Sequence, residues 1–178
     1  PDRSAASGIR TALDRAHAFK DFDIGWLEEP LFQDDIDGYV WLRDRSPVPI
    51  AAGEGECGRQ ALRPWIDRRA LDYYQIDLAR NGFTDSQYIG QRVEEAGGKV
   101  VNHCYKSAIS VAACLHWLST CQSAFLFEDC VEDSPLRHEL TIEPMQARNG
   151  YIEAPDRPGL GVTLNEDFVK QYLISQSG

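Results

Sequence analysis

Long apolar runs are missing from this 178-residue sequence. None approaches the roughly 20 residues that a membrane-spanning helix needs, so no such helix is expected. The amino end, PDRSAASGIRTALDRA, also lacks the apolar centre of a secretory signal. Cysteine is scarce: five residues, odd in number and irregularly spaced, do not form a disulfide framework, and a reduced cytoplasmic protein is expected. Positive charge is in deficit as well. With 18 Lys and Arg against 28 Asp and Glu, the formal charge of −10 argues against a nucleic-acid partner or an anionic membrane surface. Excess acid suits divalent cations, although an acidic balance by itself often only keeps a protein in solution. Low-complexity tracts and internal sequence repeats are absent too. The chain begins with Pro1 instead of Met, so a processed or partial chain is expected.

What is present is enough apolar content, 43%, for one sizeable core, arranged in a regular alternation. Short apolar or β-branched runs read as strands: DIGWLE (23–28), VPIAAGE (48–54), DYYQID (72–77), KVVNH (99–103) and AFLFE (124–128). Between them SGIRTALDRAHAF, ALRPWIDRRAL, DSQYIGQRVEEAG and SAISVAACLHWLST carry apolar residues at helical spacing. Only DDIDGYVWLRDRS is weakly patterned. Alternation of this kind predicts an α/β fold built on a parallel sheet.

The strand ends carry the chemistry. In GWLEEPL the run turns acidic where a buried strand would want another apolar residue, and an unpaired buried carboxylate costs several kcal/mol. Glu28 is therefore expected to face a metal, a cation or water. Glu54, Asp77, His103 and Glu128 end the following runs, at steps of 26, 23, 26 and 25 residues from Glu28 onward. That step is about one strand, one helix and two loops. In a (β/α)8 barrel the carboxyl ends of the strands ring one pocket, where catalytic residues of the fold sit. Beyond the last run, Asn149-Gly150 between two strand-like segments predicts a hairpin, and Asn165 is placed to cap a final helix, NEDFVKQYLIS. The expected organisation is a partial barrel over residues 1–135 and a hairpin and helix segment over 136–178.

WLEEPL, AAGE, QIDLARNG, VNH, a strand-end Glu and a PGLG tail together resemble the C-terminal half of the enolase superfamily, in its mandelate racemase branch. The resemblance covers the chain from residue 1 to about 174 and implies roughly the last five strands of a (β/α)8 TIM barrel. The family's Lys-x-Lys strand and its α+β capping domain would precede Pro1, so the chain is expected without them. An open sheet of this size would need a further segment or a partner chain, and a homo-oligomer is expected.

The resemblance implies that Glu28 and Glu54 bind Mg²⁺, a hard ion suited to carboxylate oxygens. Asp2, 26 residues before Glu28, fits the third ligand by spacing, although Arg3 and Ser4 replace the small residue and Asn that usually follow it. Asp77 and His103 match the family's His-Asp pair, and Glu128 the acid of the last strand. A one-residue slip would exchange Glu128 for Asp129. His103 alone reads as a core histidine, but its place one βα unit after Asp77 favours a catalytic role. Cys104 and Lys106 are given no role, Glu29 and Glu56 are read as surrounding acids, and His116 is read as packing. LARNG departs from the Gly-Gly common at that position in the family.

The implied activity is Mg-dependent dehydration of a sugar acid, a carbon-oxygen lyase reaction. His103 would remove the α-proton, Asp77 would orient it, and a protonated Glu128 would donate to the enediolate. Racemisation or epimerisation, cycloisomerisation, and a catalytically incompetent barrel fragment are the alternatives.

Overall fold

The computed structural model describes residues 3–174, with side chains from residue 8 onward. Five strands, β1 (Leu27–Glu28), β2 (Ile50–Ala52), β3 (Tyr73–Asp77), β4 (Lys99–His103) and β5 (Ala124–Leu126), form one parallel sheet in chain order. Parallel neighbours need a crossover, and helices supply it. Helix α1 (Arg3–Phe19) precedes β1, and α2 (Ile36–Arg43), α3 (Arg59–Asp67), α4 (Leu78–Glu95) and α5 (Ala108–Leu118) connect the successive strands. The result is five consecutive strands of a (β/α)8 barrel. Among the described residues no helix is long and apolar enough to cross a membrane.

Strand alternation sorts the side chains into two environments. On β3 and β4, Tyr74, Ile76 and Val100 point to the helices and are fully buried against Trp65, Ile89 and Val93. Tyr39 meets Trp65 edge-on at 4.9 Å, joining α2 to α3. On the opposite face Tyr73 contacts Trp26 at 5.4 Å and Phe125 at 4.8 Å, a row of rings across the sheet. Phe125 is nonetheless 49% exposed, so this face is only partly covered. The start of β2 is secured by Asp72, whose carboxylate accepts from the Ile50 amide at 2.9 Å and from Arg43 Nε at 2.8 Å.

Two elements depart from the sequence expectation. The weakly patterned 34–46 segment holds α2, because only Gly38, Tyr39 and Leu42 are buried, too few to print a strong period. Its stability comes partly from Asp35, which caps it by accepting from the Gly38 amide at 2.9 Å. The fourth helix begins at Leu78, directly after β3, instead of near Asp85. Asp77 caps it, and Gly82, with φ of 68°, kinks it before the amphipathic portion begins.

Past β5 come a short helix, α6 (Pro135–His138), and the last helix, α7 (Glu166–Tyr172), capped by Asn165 accepting from the Phe168 amide. Asn149 and Gly150 take φ of 54° and 80° in a tight turn, with Arg148 bridging Tyr151 antiparallel. The tail packs back on the barrel piece through Met145, which is buried in the shared core, and through a 3.2 Å contact between His116 Nε2 and the Leu160 carbonyl.

Candidate active site

Register alone brings two of the strand-end residues together. Asp77 on β3 is paired directly with His103 on β4, so their side chains leave the sheet on one face, side by side. His103 Nδ1 lies 3.3 Å from Asp77 Oδ2, and Nε2 lies 3.3 Å from Glu54 Oε2, just past the end of β2. The imidazole is thus held between two carboxylates. Both distances are at the long end of hydrogen bonding, as is common for catalytic contacts without substrate.

Asp77 is 1% exposed and fully engaged. Its Oδ1 accepts from the amides of Ala79 at 2.8 Å and Arg80 at 3.2 Å, the capping bonds of α4. Its Oδ2 takes His103 and the Lys106 ammonium, with Arg80 Nε at 3.7 Å. Burial pushes the Asp77 carboxyl upward, but the bonds from Lys106 and His103 outweigh it and hold it below its ordinary range. An ionised Asp77 accepts from Nδ1–H, the tautomer in which Nε2 is the basic nitrogen of a neutral ring. Asn81 fixes the surroundings: its Oδ1 accepts from the Gly58 amide at 2.7 Å while its Nδ2 donates to the Asp77 carbonyl at 2.9 Å, tying the loop after β2 to α4.

The other carboxylates crowd one another. Glu54 is raised above its ordinary value by burial, partly offset by His103 and reinforced by Glu29 and Glu28. Glu128 is raised by burial, partly offset by a bond from Gln75 and reinforced by Glu28. Glu28 accepts from Trp26 Nε1 at 2.9 Å. Its neighbour Glu29 sits at φ of 38°, a conformation that costs a non-glycine residue about 1–3 kcal/mol, and its carboxylate bonds to Gln33 instead. Asp129 pairs with buried Arg137, which leaves Glu128 as the acid facing Gln75.

The donors present are carboxylate oxygens whose charges repel, which suits a hard cation in donor type. Among the described residues no group of three or more His, Cys, Asp or Glu side chains is close enough to hold a metal ion. Asp2 lies outside the described residues. Glu28 and Glu54 thus offer an incomplete set.

Three contributors were not assigned from sequence. Lys106 gave no signal beyond standing three residues after His103. Gln75 stands two residues before Asp77 on the same strand face, where period-two alternation could have flagged it. Asn102, fully buried beside His103, binds the Glu128 main chain from both atoms of its amide.

Comparison with known proteins bears on the fold and the family. D-galactarolactone cycloisomerase from Agrobacterium fabrum is 30% identical over 173 residues, which are 92% of this chain and 45% of that protein. Arabinonate dehydratase from Saccharolobus solfataricus is 28% identical, with 90% of this chain and 43% of that protein covered. The structure of 3,6-anhydro-D-galactonate cycloisomerase from Zobellia galactanivorans superposes with a TM-score of 0.86 at 29% identity, covering 94% of this chain and 48% of that one. The chain therefore spans a little under half the length of these relatives. Residues 2–168 match the enolase C-terminal domain-like family. With that match and the five-strand barrel portion, the chain belongs to the enolase superfamily, in its mandelate racemase and acid-sugar dehydratase branch.

Proposed function

We propose that the intact protein carrying this chain dehydrates a sugar acid by removing the proton beside its carboxylate. The observation that carries this reading is the Asp77–His103 pair at adjacent strand ends, with Nδ1 on Asp77 and Nε2 directed to Glu54. Nε2 of His103 takes the α-proton while Asp77 holds the ring and stabilises the imidazolium. As the α C–H bond breaks, negative charge develops on the substrate carboxylate, and a protonated Glu128 donates a hydrogen bond to this enediolate. His103 then returns its proton to the 3-hydroxyl. The C3–O bond breaks, water leaves, and the enol product tautomerises to a 2-keto acid.

Glu28 and Glu54, with Asp2 as third ligand, would hold Mg²⁺. When bound, that ion supplies positive charge that favours the build-up of negative charge on the substrate carboxylate. The proposed compartment is the cytoplasm, and the proposed partner is a second copy of the same protein.

Cycloisomerisation is the second reading, favoured by the two cycloisomerases among the relatives. A screen of the intact protein against sugar acids and their lactones, read by 2-keto acid formation and by proton NMR, separates the two. Keto-acid formation from an open-chain acid supports dehydration. Ring opening or closure without loss of water supports the alternative, and turnover of neither class rejects both.

A further inference from the structure

The proposed reading uses the carboxyl of Glu128 but leaves two fully buried amides beside it without a role, Gln75 and Asn102. Regular pairing of β5 with β4 runs only from Val100–Ala124 to Val101–Leu126, with an irregularity between them. Glu128 lies beyond that ladder. Its main chain is held by a side chain instead: the Glu128 amide donates to Asn102 Oδ1 at 2.8 Å, and Asn102 Nδ2 donates to the Glu128 carbonyl at 2.9 Å. A carboxamide carries the same donor and acceptor as a peptide group, so Asn102 continues the sheet by two bonds where the backbone stops.

Gln75 completes the arrangement from β3. Its Nε2 donates to Glu128 Oε2 at 3.2 Å, while its Oε1 is buried with no hydrogen-bond partner. A buried acceptor left unpaired costs about 1–3 kcal/mol. The Nε2 donor holds the Glu128 carboxyl through Oε2, and a protonated Glu128 keeps its single O–H for the substrate.

We propose that Asn102 and Gln75 are positioning residues for Glu128: Asn102 fixes its main chain at the end of β5, and the Gln75 amide fixes its carboxyl by donating from Nε2 to Oε2. This rests on the reading of Glu128 as the proton-bearing acid of the site. The other charged or titratable groups facing Glu128 are Glu28 from β1, Glu54 after β2, His103 on β4 and Tyr105 in the loop that follows, with Asp129 already paired to Arg137. Glu28 and Glu54 favour the protonated acid, and His103 favours the carboxylate. Gln75 is the side chain that donates a hydrogen bond to it.

The test needs no substrate. Infrared difference spectra of the intact protein against its Glu128→Gln variant isolate the carboxyl band of Glu128, and its intensity is followed with pH. Gln75→Met removes the donor to the carboxylate, so the midpoint is expected to move to higher pH while the circular dichroism stays that of wild type. An unchanged or lowered midpoint overturns the proposal. Gln75→Asn, whose shorter side chain withdraws the donor, gives a second reading in case Gln75→Met does not fold: the same upward move is expected, and an unchanged midpoint overturns the proposal. If Glu128→Gln dehydrates sugar acids at the wild-type rate, the catalytic reading of Glu128 fails, whereas the infrared outcome still decides the role of Gln75.

Discussion

Replacing Asp77 by asparagine removes one charge from the site while keeping its shape, and the geometry allows the consequences to be separated. Asn is as good a helix cap as Asp, so the bonds from the Ala79 and Arg80 amides can pass to the new Oδ1. The remaining nitrogen then faces His103 Nδ1 as a donor, which obliges Nδ1 to accept and moves the ring proton to Nε2. That is the wrong tautomer for a base acting through Nε2. Lys106 loses its carboxylate, but its side chain is 45% exposed and water can take over. Stability should therefore fall by about 1–2 kcal/mol, the scale of one or two lost hydrogen bonds. Activity should fall far more. The corresponding change in a serine protease lowers kcat by about 10⁴, or about 5.4 kcal/mol at 1.36 kcal/mol per tenfold. The assay is kcat for 2-keto acid formation in the intact protein, alongside urea denaturation and Mg²⁺ calorimetry. An Asp77→Asn enzyme within tenfold of wild-type kcat would refute the tautomer argument. A loss of activity matched by loss of the folded state would refute the claim that shape is preserved.

The metal assignment predicts that Glu28→Gln and Glu54→Gln weaken Mg²⁺ binding at least tenfold by calorimetry, while exposed Glu94→Gln leaves it unchanged. Equal affinities for all three would remove Glu28 and Glu54 as ligands. Lys106→Met takes away a bond that holds Asp77 below its ordinary range. A carboxyl depressed on folding contributes stability above its unfolded value, and that stability disappears as pH falls through its folded value. In Lys106→Met the folded value moves closer to the unfolded one, so the variant should be less stable near neutral pH, should lose less stability on acidification and should complete that loss at a higher pH, as read by urea midpoints from about pH 6 downward; superimposable curves would deny Lys106 that role. Trp65→Ala, at a side chain 1% exposed between Tyr39 and Tyr74, should cost about 3–5 kcal/mol in chemical denaturation, and a cost below 1 kcal/mol would contradict the packing described.

The parts of the fold that could be read in the sequence are those with a strong local period. The strand runs and four of the helices were visible because their apolar residues recur at strand or helix spacing, most clearly in β2 to β4 and α5, where the burial is continuous, and Asn149-Gly150 because its backbone conformation admits few residues. Helix α2 was obscured because only three of its residues are buried. Convergence of Asp77 and His103 was visible because parallel register turns equal positions on neighbouring strands into spatial neighbours. The contribution of Lys106 was not, since an ion pair reaching back from a loop leaves no periodic trace. Asn102 escaped notice for a different reason. Its register partner is Ile76, on the helix-facing side of the sheet, and it acts sideways on the Glu128 backbone instead of through the pocket.

The central claim is that His103 Nε2 removes the α-proton, and exchange of that proton with solvent tests it most directly. Sugar acids turned over by the intact wild-type protein are incubated in deuterated water with the His103→Asn variant, and the α-hydrogen is followed by proton NMR. The account predicts neither deuterium at the α-carbon nor 2-keto acid. Deuterium incorporation at the wild-type rate without product would assign His103 to expulsion of the hydroxyl and the base to another residue, and product formed at the wild-type rate would leave the Asp77–His103 pair with no part in the chemistry.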